Sequence, residues 1–285
     1  MLYWLIRSVG ALPALLPLRM LYPLSTALSW FTGVLFGYRR MVVEQNLRNA
    51  FPQFSTAQLQ SAVKQFYMHF TDTLVETYAM LAMRKDRLPR RIRVKNPELL
   101  SRYHAEGKSV IAVGGHFGNW EWLGTALPLL SPYPVLAAYR PLSNPSIDRL
   151  MREIRSIHGT CLLPDTQIYR AMRSSTEPVL TYLIADQSPL PENARWLPFL
   201  NQETPVFMGP EKMARACNAV VVFLAMRRIQ RGYYEVEVLP VTENPLGEDD
   251  LVITKRHLEL LENEIQSMPS AWLWSHKRWK HRKPE

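Results

Sequence analysis

Cysteine is almost absent from this chain. Its 285 residues hold two, Cys161 and Cys217, and neither stands in a C-x-x-C pair or a Cys/His cluster. That excludes a disulfide framework and a zinc signature. No G-x-S-x-G string occurs, so no nucleophile elbow supplies a protein serine. Internal repeats and low-complexity tracts are missing as well, which excludes solenoids and arrays. Acidic residues are the minority charge: 25 Asp and Glu stand against 34 Lys and Arg, a formal net charge of +9. Such a balance favours an anionic partner, whether acidic lipid, an acidic carrier protein or nucleic acid. The excess gathers in two places. From Arg84 to Lys95 the only acid is Asp86, and from His276 to Lys283 there is none.

Charge is also missing from Met20 to Tyr38, a run bracketed by Arg19 on one side and Arg39 with Arg40 on the other. As a helix at about 1.5 Å per residue it would reach roughly 28 Å, close to the ~30 Å of a bilayer core. Residues 1–40 are therefore expected to form an N-terminal membrane anchor or re-entrant segment, and residues 41–285 a single catalytic domain. Ser25, Thr26, Ser29 and Thr32 dilute the hydrophobicity, which keeps a buried apolar helix as the alternative. Upstream, Pro13 and Pro17 argue against one continuous helix.

Downstream of the anchor, apolar residues such as Leu59, Val63, Phe66 and Phe70 recur at three- and four-residue spacing, which predicts helix from Ser55 or Thr56 to Met83. Compact apolar runs predict strands at 109–113, 135–138, 179–184, 220–227 and 234–239. Helical patterns fall between them, clearest at 145–158 and 209–217. Strands alternating with helices predict an α/β fold with a mixed, largely parallel central sheet flanked by helices. In such sheets chemistry gathers in loops at the carboxyl ends of strands.

One such loop follows the strand at 109–113 and runs from Gly114 to Glu121 as G-G-H-F-G-N-W-E. In a continuous helix His116 and Glu121 would lie about 140° apart around the axis and could not meet. Three glycines instead predict a tight loop, with a helix beginning near Asn119. Folded back, that loop is expected to bring the Glu121 carboxylate to one imidazole nitrogen of His116, leaving the other to face a substrate. Histidine can take up a proton near neutral pH, and a carboxylate beside it fixes the tautomer. The nucleophile would be the substrate's own hydroxyl.

His116 to Glu121 match the H-x-G-N-W-E box of the lauroyl and myristoyl transferases of late lipid A biosynthesis, and the sequence resembles that family over most of its length. Asn46 to Pro52 resembles its N-L-x-x-x-F-P element, Arg140 to Pro145 its R-x-x-x-N-P element, and Asp186-Gln187 its D-Q element. Phe207 to Gly209 is similar to its F-x-G helix entry, and Trp272 to Lys280 to its closing W-x-x-x-R-W-K/R element. The resemblance implies a glycerolipid-acyltransferase-like fold and a fatty acyl transfer from acyl-carrier protein to a hydroxyl of a lipid A precursor. It implies His116 and Glu121 as catalytic residues and Arg140, Asp186, Gln187 and Gly209 as substrate-binding ones. Arg140 would hold a phosphate or carbonyl oxygen, and Asp186 would orient that arginine or the acceptor. No metal or further cofactor is expected, because a thioester is already activated. The expected place is the cytoplasmic side of a bacterial inner membrane, with the basic clusters meeting an anionic membrane surface or the carrier protein, and with no nucleic acid. Transfer to glycerol phosphate or a lysophospholipid is the alternative enzyme reading, and a non-catalytic basic membrane adaptor the alternative outside catalysis.

Overall fold

In the computed structural model, which describes residues 3, 4, 6–8, 16–190 and 194–283, the apolar runs become strands of one seven-stranded sheet. In chain order these are β1 (Ile92–Val94), β2 (Val110–Gly114), β3 (Val135–Tyr139), β4 (Cys161–Pro164), β5 (Leu180–Ile184), β8 (Val220–Gln230) and β9 (Tyr233–Thr242). Their spatial order is β1-β9-β8-β2-β5-β3-β4. All pairings are parallel except β8 with β9, the one neighbouring pair joined by a tight turn. Two strands, β6 (Arg195–Phe199) and β7 (Gln202–Val206), form a separate antiparallel hairpin. The expected mixed, largely parallel α/β architecture is present. The edge strands β1 and β4 are only three and four residues long, and proline and charged residues interrupt the hairpin, so none of them stands out in the sequence.

Successive side chains of a strand point to opposite faces, and here both faces are covered. Ile111, Val113, Val221 and Phe223 enter one core, while Val110, Ala112, Val220 and Val222 enter the other. That is why the central strands read as compact, almost wholly apolar runs. Helix α3 (Thr56–Ala79) contributes to both cores. It opens with a capping box in which the Ser55 hydroxyl accepts from the Gln58 N–H and the Gln58 side chain accepts from the Ser55 N–H.

The uncharged N-terminal run is not one long helix. Helix α1 (Leu18–Trp30) passes into a π-helical turn (Phe31–Leu35), and Gly37 at φ +55° turns the chain before α2 (Arg40–Ala50). Among the described residues no helix is long and apolar enough to cross a membrane. The stretch around Pro13 lies outside the described residues. Leu18, Leu21, Tyr22 and Ser25 of α1 are buried, and Ser25 donates to Asp72 of α3 at 2.6 Å. Of the other polar residues that dilute the run, Thr26 accepts from Arg231 at 2.9 Å, while Ser29 and Thr32 donate to carbonyls of their own helical segment. Its apolar residues Met20, Leu24, Leu28, Val34, Leu35 and Phe36 remain exposed on the outer side.

Candidate active site

Strand β2 ends at Gly114, and the loop beyond it is held on several sides. The Gly115 backbone lies so close to its neighbours that a Cβ there would stand 2.7 Å from a Leu261 methyl and 3.0 Å from Asp186 Oδ2. Gly118 adopts φ +62°, and a Cβ would meet the Met226 carbonyl at 2.8 Å. Only glycine satisfies both the dihedral and the space. The segment 271–273 runs alongside: Gly118 donates its N–H to the Ala271 carbonyl at 3.0 Å, and Leu273 donates to the His116 carbonyl at 3.0 Å. Helix α5 (Trp120–Leu130) then begins, capped by Asn119, whose side-chain oxygen accepts from the Trp122 N–H at 3.0 Å. The predicted loop and helix start are as the glycines and the asparagine imply.

The partner of His116 is Asp186. In the β2–β5 register Gly114 lies opposite Ile184, so His116 and Asp186 each stand two residues beyond their strand. Asp186 Oδ1 lies 2.6 Å from His116 Nδ1, and Oδ2 accepts the His116 backbone N–H at 2.6 Å and Trp272 Nε1–H at 2.8 Å. Burial by itself would raise the Asp186 carboxyl, but the neighbouring imidazole, its two hydrogen bonds and the Trp272 indole outweigh that and hold it well below the usual carboxylate range. An ionised carboxylate only accepts, so Nδ1 carries the proton and Nε2 presents its lone pair, 3.3 Å from the Gln187 amide nitrogen.

Glu121 does not reach the imidazole, and the expectation that it would is corrected. Because α5 starts at Trp120, Glu121 sits in the first helical turn and projects to the Arg155 guanidinium. Arg155 lies on α6 (Pro145–Ser156) and donates from Nε at 2.8 Å and from Nη2 at 2.6 Å, a two-pronged pair. Trp120 Nε1 donates to the same carboxylate at 3.2 Å. The other expectation to be corrected concerns Asp186 and Arg140. Asp186 is spent on His116, while Arg140, 60% exposed after the end of β3, pairs with Asp165 at 2.7 Å.

His116, Glu121, Arg140, Gln187 and Gly209 nevertheless line one cavity of about 860 Å³, joined there by Arg155. Asp186 stands behind the wall, 2% exposed. Apolar side chains such as Ala137, Leu162, Ile168, Leu183 and Met213 make up much of the rest. Gly209 opens helix α8 (Gly209–Cys217), and a Cβ there would meet the Phe207 ring at 2.7 Å. Arg155 escapes sequence reasoning, and Trp272 belongs to the closing aromatic and basic stretch, whose sequence gives no sign that its indole reaches Asp186. Arg155 is one of three arginines on α6, with Arg149 and Arg152, and nothing in their spacing selects it.

The chain that folds into this carboxylate-held imidazole and cavity is similar in sequence to known proteins over nearly its whole length. A family model for bacterial lipid A biosynthesis acyltransferases matches residues 1–281. The chain belongs to that family. Among the family's curated members it is 25% identical over 285 residues to the lipid A biosynthesis lauroyltransferase of Escherichia coli, covering 99% of this chain and 92% of that one. To the lipid A biosynthesis palmitoleoyltransferase of the same organism it is 22% identical, over 86% of this chain and 79% of the relative. A lipid A biosynthesis acyltransferase of Haemophilus influenzae is 23% identical, over 100% and 92%. In this member of the lipid A acyltransferase family, the Glu121–Arg155 pair and the imidazole of His116 share a largely apolar cavity wall with Arg140, Asp165, Gln187 and Lys212.

Proposed function

We propose that the protein transfers a fatty acyl group from acyl-carrier protein to a hydroxyl of a lipid A precursor, with His116 as general base oriented by Asp186. The observation that carries this reading is the Asp186-held imidazole in the wall of a largely apolar cavity. The names of the relatives, which transfer lauroyl and palmitoleoyl groups, support a fatty acyl donor. In the proposed step His116 Nε2 takes the proton of the acceptor hydroxyl as its oxygen attacks the thioester carbonyl carbon. The tetrahedral intermediate collapses, the C–S bond breaks, and the departing thiolate takes the proton back from the imidazolium, whose charge Asp186 stabilises. No step is routed through a metal ion or further cofactor, since the thioester supplies the leaving group. Glu121, fixed by Arg155, would accept hydrogen bonds from the acceptor, and Arg140 at the exposed rim would meet a phosphate or the carrier's acidic surface.

The exposed apolar side of α1 and the π-turn, flanked by Arg19, Arg39 and Arg40, supports seating on an anionic membrane surface, lying in the interface rather than across the bilayer. Since carrier-protein thioesters are cytosolic, the proposed place is the cytoplasmic side of a bacterial inner membrane. The deciding assay supplies purified protein with an acyl-carrier-protein thioester and a lipid A precursor, followed by mass spectrometry of the lipid. A mass gain of one acyl chain is expected. Transfer to lysophosphatidic acid with none to the glucosamine disaccharide lipid would overturn the acceptor assignment.

A further inference from the structure

Beneath the active-site loop, helix α3 carries a second cluster of buried polar groups that the proposed chemistry does not use. Glu76 is fully buried and accepts three hydrogen bonds from three different elements. Its Oε2 accepts from the Asn119 amide at 2.7 Å and from the Tyr234 hydroxyl of β9 at 2.6 Å; its Oε1 accepts from the Tyr22 hydroxyl of α1 at 2.9 Å. The Glu76 carbonyl also accepts Trp122 Nε1–H at 2.8 Å. Burial pushes this carboxyl upward, against the pull of its three donors.

The neighbouring turns of α3 repeat the arrangement. His69 Nε2 lies 3.0 Å from the Gly118 carbonyl, and Arg228 Nη1 lies 3.3 Å from His69 Nδ1. An arginine can only donate, so Nδ1 accepts and Nε2–H donates to Gly118. Asp72 accepts from Arg228 at 2.7 Å, from Arg231 Nη2 at 2.7 Å and from the Ser25 hydroxyl of α1 at 2.6 Å. Two consecutive loop residues, Gly118 and Asn119, are therefore gripped by the same helix that grips Tyr22 and Ser25. Glu76 is where the two grips meet on one carboxylate. Asn119 caps the helix that aims Glu121 into the cavity, so the position of this carboxylate sets the position of the cap.

We propose that Glu76 is a positioning residue that couples the seating of α1 to the geometry of the His116–Glu121 loop, so that occupation of the outer apolar face of α1 by a lipid surface raises turnover. The proposal rests on the acyltransferase reading above. Holding α1 against α3 keeps Tyr22 on Glu76, which leaves Oε2 oriented toward Asn119. Loosening α1 frees the carboxylate to rotate and lets the cap shift, and a misplacement of about 1 Å near a reacting centre can cost about 100-fold in rate.

The test uses the full-length protein in two media, neutral detergent micelles and vesicles of zwitterionic with anionic phospholipid. Tyr22→Phe removes one hydroxyl and cuts only the α1 link; Glu76→Gln removes an acceptor from the junction itself. Turnover of the acyl-carrier-protein thioester and lipid A precursor is measured alongside hydrogen exchange at the Trp122 amide, which reports the cap without any substrate. Expected are vesicle stimulation in the wild type, loss of that stimulation in Tyr22→Phe, and a kcat lowered about tenfold or more in Glu76→Gln with KM changed less than about twofold. Trp122 exchange should quicken in both variants. If Glu76→Gln fails to fold, Tyr22→Phe decides alone. Equal stimulation and equal Trp122 exchange in Tyr22→Phe and wild type would overturn the coupling. A wild type that transfers no acyl group in either medium would instead bring down the acyltransferase reading, and the exchange comparison would still judge the coupling.

Discussion

Both carboxylate oxygens of Asp186 are committed to His116: Oδ1 stands 2.6 Å from the ring Nδ1 and Oδ2 accepts the backbone N–H at 2.6 Å. One buried side chain thus fixes the ring's tautomer and the backbone that carries it. Asp186→Asn keeps the shape but can no longer accept at both positions. It is expected to lower kcat by about 10³–10⁴-fold, comparable with the about 10²–10⁴-fold expected for His116→Ala. The double variant should be no worse than the poorer single one, because the two act as a unit. Single-turnover assays of the three variants check this, and an Asp186→Asn enzyme within threefold of wild type would refute the pairing.

Glu121 and Arg155 form the second unit. The carboxylate is 11% exposed and the guanidinium 28%, so removing one partner strands the other in a poorly solvated wall. Glu121→Gln and Arg155→Met are each expected to lower activity by at least about tenfold, and together by little more than either alone. A double-mutant cycle measures the coupling. Strict additivity would show that the pair does not function as one.

Acid should weaken the fold in a defined window. Burial, joined at His69 by the positive charge of Arg228, lowers the pKa of His69 and of His257 to about 4, against about 6.5 in an unfolded chain. Folded-state pKa values below the unfolded ones mean the unfolded chain binds the proton first. Stability is therefore complete above about pH 6.5 and declines as pH falls toward 4, by about 2 kcal/mol per histidine between pH 7 and 5. Asp186 adds a loss of the same sign lower down: its stabilisation is present above the ordinary carboxylate range and disappears as pH falls through its depressed folded value. His257 Nε2 has no hydrogen-bond partner among the described residues, so His257→Leu should fold and should show a shallower decline. Urea titrations at the two pH values decide; identical declines in variant and wild type would contradict the assignment.

Membrane seating is testable without activity. Leu35 is 58% exposed and Phe36 77%, so Leu35→Asp with Phe36→Asp should leave folding stability within about 0.5 kcal/mol. Vesicle partitioning should weaken by at least about tenfold, since burying each such side chain contributes about 1.5–3 kcal/mol. Sedimentation with anionic vesicles provides the measurement, and unchanged partitioning would place the lipid surface elsewhere.

Much of this protein is legible in one dimension because the signals are local. Compact apolar runs, broken only by Thr181, mark β2, β5 and the first seven residues of β8, since a strand covered on both faces needs no polar side. Three glycines and Asn119 mark the loop and the helix start, since those dihedrals and that cap depend on adjacent residues. The partner of His116 is not a local property. Asp186 lies 70 residues away in sequence, and it arrives only because β5, rather than β3, pairs beside β2 in register. The same helix start that the sequence announces turns Glu121 away from the ring and toward an arginine on α6. In the N-terminal run, composition alone showed an uncharged stretch of membrane length; the tertiary packing decided that Tyr22 and Ser25 face Glu76 and Asp72. Local chemistry is written in neighbouring residues, whereas the choice of partner for a buried charge is made by the strand order and helix packing that bring distant groups within hydrogen-bonding reach.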